Sequence, residues 1–395
     1  MPASLLTAAE QPRSASDNGN NTWISINTGL GEGMVNALLV DKTGRLFAGL
    51  SNGKVFASDN GGTSWIAIND GLGRGQVITL IKNKAGSVYL QTDNGVFRFS
   101  TASQGWEPVV AGLGTRRVRL LAALSDNQVY IGTDDGVLRL NPAGERWDAI
   151  NAGMENQSIS DLQADGSGNL YARSSGSVFR LTPGASSWRS ASTPAENTGF
   201  LGSSLMKMFV SSNGTIYLGR YIEGYGGGPY RSTDGGQTWE LIKTGLPNRA
   251  AQNLYLRGAQ ADGSIYAFDP TLGSLSSGAF RLDPGANAWR EVPTPICFGD
   301  SYAITEDDNV YRCDANTNAS YLIEGPLQRS KHLSTIVPGN SGELYAILAD
   351  GSVYRLDAAA MEWTAGLVSQ GPFWERTLTL SHTQRSKDLD QPGCV

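Results

Sequence analysis

A chain of 395 residues with 40% hydrophobic and 17% charged residues can bury a large core and is not a disordered polymer. Its net charge of −6 provides no basic footprint for phosphate, which excludes a nucleic-acid binder, and no apolar run reaches the roughly 18–20 residues that span a bilayer. The 49 glycines, set beside Asn, Asp and Ser, point to many tight turns between short strands, and helical periodicity is absent.

Residues 1–15 read as a disordered leading segment. Met1 to Pro12 holds only the weak apolar pair Leu5–Leu6 and no basic start, so it is not a complete signal peptide, though it fits the stub of a trimmed one. From residue 16 a repeat takes over. Tryptophan recurs as Trp23, Trp65, Trp106, Trp147, Trp188, Trp239, Trp289 and Trp363, first every 41 or 42 residues and then after 51 and 50. The last gap, of 74, divides if Tyr321 takes the missing place. A period of about 40–50 residues is that of one four-stranded propeller blade.

Residues 35–69 show the grammar of one period. Val35–Val40 is a first apolar strand, Arg45–Gly49 a second after the turn Asp41-Lys42-Thr43-Gly44, and Lys54–Ala57 a third after Ser51-Asn52-Gly53. A longer turn then leads to a fourth strand beginning at Trp65. Third strands repeat a hydrophobic-aromatic-Arg pattern, as in Gly95-Val96-Phe97-Arg98, Ser177-Val178-Phe179-Arg180 and Ser352-Val353-Tyr354-Arg355. The expected fold is therefore all-β: a single β-propeller over residues 16–367, with eight four-stranded blades favoured. Seven is the alternative, with the short repeat at 296–324, which lacks a clear first strand, absorbed. Trp23–Asn27 is a fourth strand with no blade before it, and it competes with Glu362–Leu367 to complete the last blade. Residues 368–395 form a tail with room for one added strand.

The turns before the fourth strands carry a motif. Ser232-Thr233-Asp234-Gly235-Gly236-Gln237-Thr238-Trp239 fits Ser-x-Asp-x-Gly-x-Thr-Trp at every fixed position; Ser58 to Trp65 and Ser16 to Trp23 are weaker copies. By this motif, phased within the repeats, the chain resembles the Asp-box (bacterial neuraminidase repeat) propellers, which include sialidases, xyloglucan-cleaving glycosidases, sortilin-type receptors and photosystem-assembly factors. Its blade pattern is also similar to the sensor propellers of bacterial two-component regulators. The resemblance implies a structural turn on the blade rim, away from the central funnel, so Asp59, Asn60 and Asp234 are assigned no catalytic role. Trp147-Asp148 is no sign of a WD40 protein, because that Trp opens the fourth strand and no Gly-His partner precedes it.

In a propeller the turns between second and third strands share the mouth face with the links between blades. Gly31-Glu32-Gly33 and Gly73-Arg74-Gly75, in two links, lack the following helix that a phosphate loop needs and read as turns. Insertions fall on this face at Arg220-Tyr221-Ile222-Glu223-Gly224-Tyr225-Gly226-Gly227-Gly228 and at 269–277, and a Tyr-rich, Gly-hinged loop with one carboxylate suits sugar stacking. Arginines near the links, Arg74, Arg116, Arg117, Arg249 and Arg329, would converge on an anion if they faced inward, as the sialidase arginine cluster does; solvated surface arginines are the plainer reading. The sialidase Phe/Tyr-Arg-Ile-Pro motif is missing. Catalytic candidates are Glu223 with Tyr221, and the turn aspartates Asp134 and Asp135 among Asp93, Asp307 and Asp308, for a carboxylate pair about 5–10 Å apart. Acidic turn residues are the default reading of all of them.

Cys297 and Cys313 suit either a disulfide or two reduced buried thiols, Cys394 lies in the tail, and with only His332 and His382 no metal spacing exists; no cofactor is implied. The leading functional expectation is a secreted or periplasmic propeller that binds a glycan, another small ligand or a protein partner at its mouth. The ligand set comprises Arg74, Arg117, Arg220, Tyr221, Glu223, Tyr225, Arg249 and Arg329. A glycoside hydrolase or polysaccharide lyase is the alternative.

Overall fold

The computed structural model describes residues 23–124, 128–154, 157–174, 177–191, 203–222, 228–247, 255–259, 263–268, 279–292, 302–304, 310–313, 320–323, 333–340 and 343–356. These residues form strands and turns without a helix. After β1 (Trp23–Ser25), a first sheet holds β2 (Val35–Val40), β3 (Leu46–Leu50), β4 (Val55–Ser58) and β5 (Ile66–Ala67). The second sheet holds β6 (Val77–Lys82), β7 (Val88–Thr92), β8 (Gly95–Ser100) and β9 (Gly105–Pro108). The third holds β10 (Val118–Ala123), β11 (Val129–Thr133), β12 (Gly136–Leu140) and β13 (Trp147–Ala149). The fourth holds β14 (Asp161–Ala164), β15 (Leu170–Arg173), β16 (Val178–Leu181) and β17 (Arg189–Ala191). The fifth holds β18 (Ser203–Val210), β19 (Ile216–Ile222), β20 (Gly228–Ser232) and β21 (Glu240–Leu241). The sixth holds β22 (Tyr255–Ala259), β23 (Ile265–Phe268), β24 (Ala279–Leu282) and β25 (Arg290–Glu291). The seventh has three strands, β26 (Tyr302–Ile304), β27 (Val310–Cys313) and β28 (Ser320–Ile323). The eighth runs β29 (Leu333–Pro338), β30 (Leu344–Leu348), β31 (Val353–Leu356) and then β1.

Every described pairing between these strands is antiparallel, and each four-stranded sheet is a meander whose strands follow chain order, with β1 as the sole exception. Second strands such as β3 and β7 are buried at every position, because both faces of their sheets pack against neighbours. The apolar clusters accordingly lie between consecutive sheets. Phe47, Val55 and Leu39 meet Leu80, Leu90 and Trp106, and Tyr130 and Val137 meet Leu162, Leu170 and Trp188. First strands lie side by side, β2 against β6 and β29, β6 against β10, β14 against β18 and β18 against β22, so they surround a common axis.

The repeating tryptophan ties each sheet to the link before it. Trp65, Trp106, Trp147 and Trp289 donate Nε1–H to the carbonyls of Ile26, Ile68, Val109 and Ile242 at 2.7, 2.9, 2.9 and 3.0 Å. Glycines of the links fit beneath these residues: a Cβ on Gly71, Gly112 or Gly245 would lie 1.9, 2.0 or 1.9 Å from the carbonyl oxygen of Trp106, Trp147 or Trp289. A second tie runs around the outside. The third-strand arginines Arg98, Arg231 and Arg355 donate to Ala143, Ala286 and Gly61, carbonyls in the last turn of the next sheet. In the first sheet, Ala57 stands where the other third strands carry arginine. Arg45 reaches Gln104 Oε1 of the second sheet instead, at 2.7 Å, from the start of the neighbouring strand.

The Ser232–Trp239 turn is closed by its own side chains. Asp234 Oδ1 accepts the backbone N–H of Gln237 and Thr238, Asp234 Oδ2 accepts the Thr238 hydroxyl at 2.6 Å, and Gly236 N donates to Ser232 Oγ at 2.8 Å. Burial pushes the Asp234 carboxyl up, but the hydrogen bonds from Thr238, Ser232 and Gln237 outweigh it and hold the group at about 2. Ser58 and Asn60 make the same bonds to Gly62 and Ser64.

The register fixes details that the repeat left open and changes two of them, the place of Tyr321 and the start of the inserted loop. β1 is the Trp-bearing fourth strand of the eighth sheet: Trp23 stands opposite Leu356 in the register that sets Trp147 opposite Leu140. The competing strand Glu362–Leu367 lies outside the described residues. In the seventh sheet Tyr302 pairs with Arg312 as Tyr89 pairs with Arg98, so β26 is a second strand and no first strand is described there. Its fourth strand aligns Ser320, not Tyr321, with the tryptophan position, since Cys313 faces Ser320. Finally, the insertion expected to begin as a loop at Arg220 starts as strand. β18 and β19 lengthen to pair Ser203 with Ile222, which carries Arg220 and Tyr221 into the hairpin.

Candidate functional site

Turns between second and third strands bond directly to the links that lead into the first strands, so the two share one face around the axis. Ser51 N donates to Met34 O, Asp93 N to Gln76 O and Asp134 N to Arg117 O, at 2.8, 3.2 and 3.2 Å. Asn69 and Asn151, in the links, accept the N–H of Val55 and Val137, the first residues past the turns. The mouth is thus a ring of turns whose backbone groups are largely satisfied by one another.

The candidate aspartates serve that ring. Asp134 Oδ1 accepts the backbone N–H of Arg117 at 3.0 Å, and Asp135 Oδ2 pairs with Arg116 Nε at 3.1 Å. Arg74 and Arg117 are exposed on this face of the second and third sheets; the Arg74 carbonyl accepts from Asn94, and neither side chain has a partner among the described residues. Arg220 and Tyr221 lie on β19, paired with Leu205 and Ser204. Glu223, Tyr225, Arg249 and Arg329 lie outside the described residues, as do Asp307, Asp308, Cys297 and His332. Among the described residues no cluster of His, Cys, Asp and Glu is placed to hold a metal ion, and no helix is long and apolar enough to cross a membrane.

Sequence reasoning passed over the first strands themselves. Their pairing with second strands shifts by one residue at the same place in β2, β6, β10, β18, β22 and β29, and the extra residues include Asn36, Ile78 and Arg119. These three are exposed although their neighbours Val35 and Val77 are buried. In the fourth sheet Asp161 faces Arg173 across the strand pair. Burial pushes the Asp161 carboxyl up, against the pull of Arg173 and a 3.3 Å hydrogen bond from Gln163. The signal available in the sequence was a polar or charged residue second in an otherwise apolar strand, as in Val35-Asn36 and Val118-Arg119.

Two surface grooves lie on the opposite face, between adjacent sheets. One of about 600 Å³ is bordered by Asp41, Arg45, Asp59, Arg98 and Glu107, and one of about 400 Å³ by Tyr217, Arg231 and Pro284. Their arginines are those that tie neighbouring sheets, so both grooves follow from packing.

No family profile and no curated protein matches the chain. Solved structures do. YCF48 bound to D1 peptide superposes with a TM-score of 0.50 at 14% identity, over 87% of this chain and 98% of that one. The chain is a β-propeller. The extracellular domain of the hybrid two-component system BT3049 from B. thetaiotaomicron gives 0.49 at 17% identity over 87% of this chain, which spans only 42% of that domain's length. Virginiamycin B lyase from Staphylococcus aureus gives 0.48 at 11% identity, over 85% of this chain and 98% of that one. At 14% identity the likeness to YCF48 speaks for the fold alone.

Proposed function

We propose that this propeller is eight-bladed, belongs to the Asp-box class and works outside the cytoplasm as a binding module that takes an acidic glycan at its channel mouth. The observation that carries this reading is the contrast at the mouth. Turn and link groups are bonded to one another, whereas the guanidinium groups of Arg74 and Arg117 project from adjacent sheets with no partner among the described residues. Paired guanidinium groups suit a carboxylate or sulfate, and the inserted segment with Arg220, Tyr221, Glu223 and Tyr225 would supply stacking at the same face, with Arg249 and Arg329 from further links. Binding is favoured over hydrolysis because Asp134 and Asp135 are engaged by Arg117 N–H and by Arg116. A peptide is the second reading, supported by the D1 peptide held by the fold neighbour YCF48.

The test is retention on immobilised neutral and acidic polysaccharides, with mass spectrometry of the supernatant. Acidic chains are expected to retain the protein, release nothing, and lose their hold when Arg74→Gln and Arg117→Gln are combined. Released oligosaccharides would replace the binding reading with an enzyme; equal retention by neutral chains would remove the role of the arginines.

A further inference from the structure

The first strands offer a chemistry of their own deeper in the channel. A β-bulge adds one residue and re-aims a side chain, and here it recurs at one register in six first strands. Recurrence at one depth makes a ring of side chains around the axis. Among the described members Asn36 is committed, its Nδ2 donating to the Val77 carbonyl at 3.0 Å, which pins β2 to β6. Ile78 is 42% exposed, and Met34, just before β2, is 48% exposed. These are two of only six large apolar side chains so exposed among the described residues; Ile78 is the bulge residue of β6, and Met34 lies at the rim above β2, where its carbonyl accepts the Ser51 N–H.

Arg119 holds the equivalent position on β10, the strand next to β6, exposed and without a hydrogen-bond or ion-pair partner among the described residues. The seven described first strands contain the basic residues Lys82, Arg119, Lys207 and Arg257 against one acid, Asp161, in a chain of net charge −6. Asp161 is occupied by Arg173 and Gln163. The bulge position is therefore cationic in the third sheet and apolar in the second, with Met34 at the rim of the first.

We propose that this wall binds a small amphipathic carboxylate, with Arg119 taking the carboxylate and Ile78 and Met34 the apolar body. The site adjoins the mouth at Met34 but uses neither Arg74 nor Arg117, and it does not need the glycan reading to hold. Isothermal titration of the full chain with N-acetyl-leucine, its amide and acetate tests it. N-acetyl-leucine is expected to bind, with the amide and acetate each weaker by about tenfold or more, the scale of one charge-assisted hydrogen-bond pair. Arg119→Gln should bring the acid down to the level of the amide, Arg119→Lys should keep part of the difference, and Ile78→Asn should weaken the acid without changing acetate. Unchanged melting temperatures would show these variants folded, as the exposure of both side chains leads one to expect.

Absence of heat from N-acetyl-leucine, equal affinity for acid and amide, or wild-type affinity in Arg119→Gln would each overturn the proposal. Retention of acidic polysaccharide is measured in parallel. If it persists while N-acetyl-leucine fails to bind, the inner site alone is refuted; if it is lost only with Arg74→Gln and Arg117→Gln, the two sites are separate.

Discussion

Replacing Gly112 with alanine probes the contact that sets one sheet against the next. Gly112 has φ +81°, and an added Cβ would come 2.0 Å from the Trp147 carbonyl oxygen and 3.0 Å from its carbon. Relief needs a backbone displacement on the order of 1 Å where the exposed link rests on the buried Trp147, and close-packed groups feel such shifts. That movement acts on two bonds, Trp147 N–H to Ala111 O and Trp147 Nε1–H to Val109 O, both at 2.9 Å. Weakening both costs about 2–3 kcal/mol, and alanine in the left-handed region adds about 1. The expected total is about 3–4 kcal/mol. Gly44 supplies the control, since it has φ +89° with nothing within 4 Å of its added Cβ. Gly44→Ala should pay the backbone cost only, about 1 kcal/mol. Urea unfolding followed by circular dichroism measures both. Equal losses in the two variants would refute the claim that link glycines are required by the following tryptophan, and would leave left-handed geometry as their whole explanation.

Three further outcomes follow from side chains described above. Arg231 is 8% exposed and donates to Ala286 O, Asn287 Oδ1 and Glu240 Oε2 at 2.6, 2.6 and 2.7 Å. Arg231→Lys cannot span these acceptors and should cost about 2–4 kcal/mol in the same unfolding measurement; a loss under about 0.5 would show that the tie is idle. Asp234 has a folded value lowered to about 2, so it adds stability above its unfolded value, and that contribution fades as pH falls from about 4 to 2. The gap in stability between wild type and Asp234→Ala should therefore narrow across that window, and a constant gap would contradict the assignment. Asp161 is shifted the other way by burial, so its ionisation costs stability as pH rises from its unfolded toward its folded value. Asp161→Asn should flatten that segment of the stability profile, and an unchanged profile would show that the carboxyl keeps its ordinary value.

The phase of the fold was legible because the tryptophan occupies one structural place, opposite the residue after the third-strand arginine, and its indole needs a specific carbonyl. Where that residue is missing the reading slipped by one position, to Tyr321 instead of Ser320, since an aromatic ring alone does not define register. Arg220 and Tyr221 read as loop because the glycines that follow dominate local propensity, whereas pairing with Leu205 and Ser204 holds them in strand. Of the site, the link arginines were visible by their repetition. Arg119 stood out only as a charged residue second in an otherwise apolar strand; that it occupies a bulge depends on how β10 and β11 pair, which neither strand alone records. The third-strand arginines were seen as a pattern, but their partners lie in the next repeat, 45 residues on for Arg98 and 55 for Arg231.

The eighth sheet is built from segments far apart in the chain: Val353 N donates to Asn27 Oδ1 over a separation of 326 residues. During synthesis β1 therefore waits, unpaired, until nearly every other strand has formed. The entropy of closing so long a loop grows only logarithmically, by about 0.6 kcal/mol per doubling, so the final stability of the ring suffers little. The rate is another matter, because long-range pairing is slow and leaves strand edges exposed while it lasts. The edge of β31 that β1 covers is the place where the nascent protein is open to aggregation, and to the β1 strand of another copy.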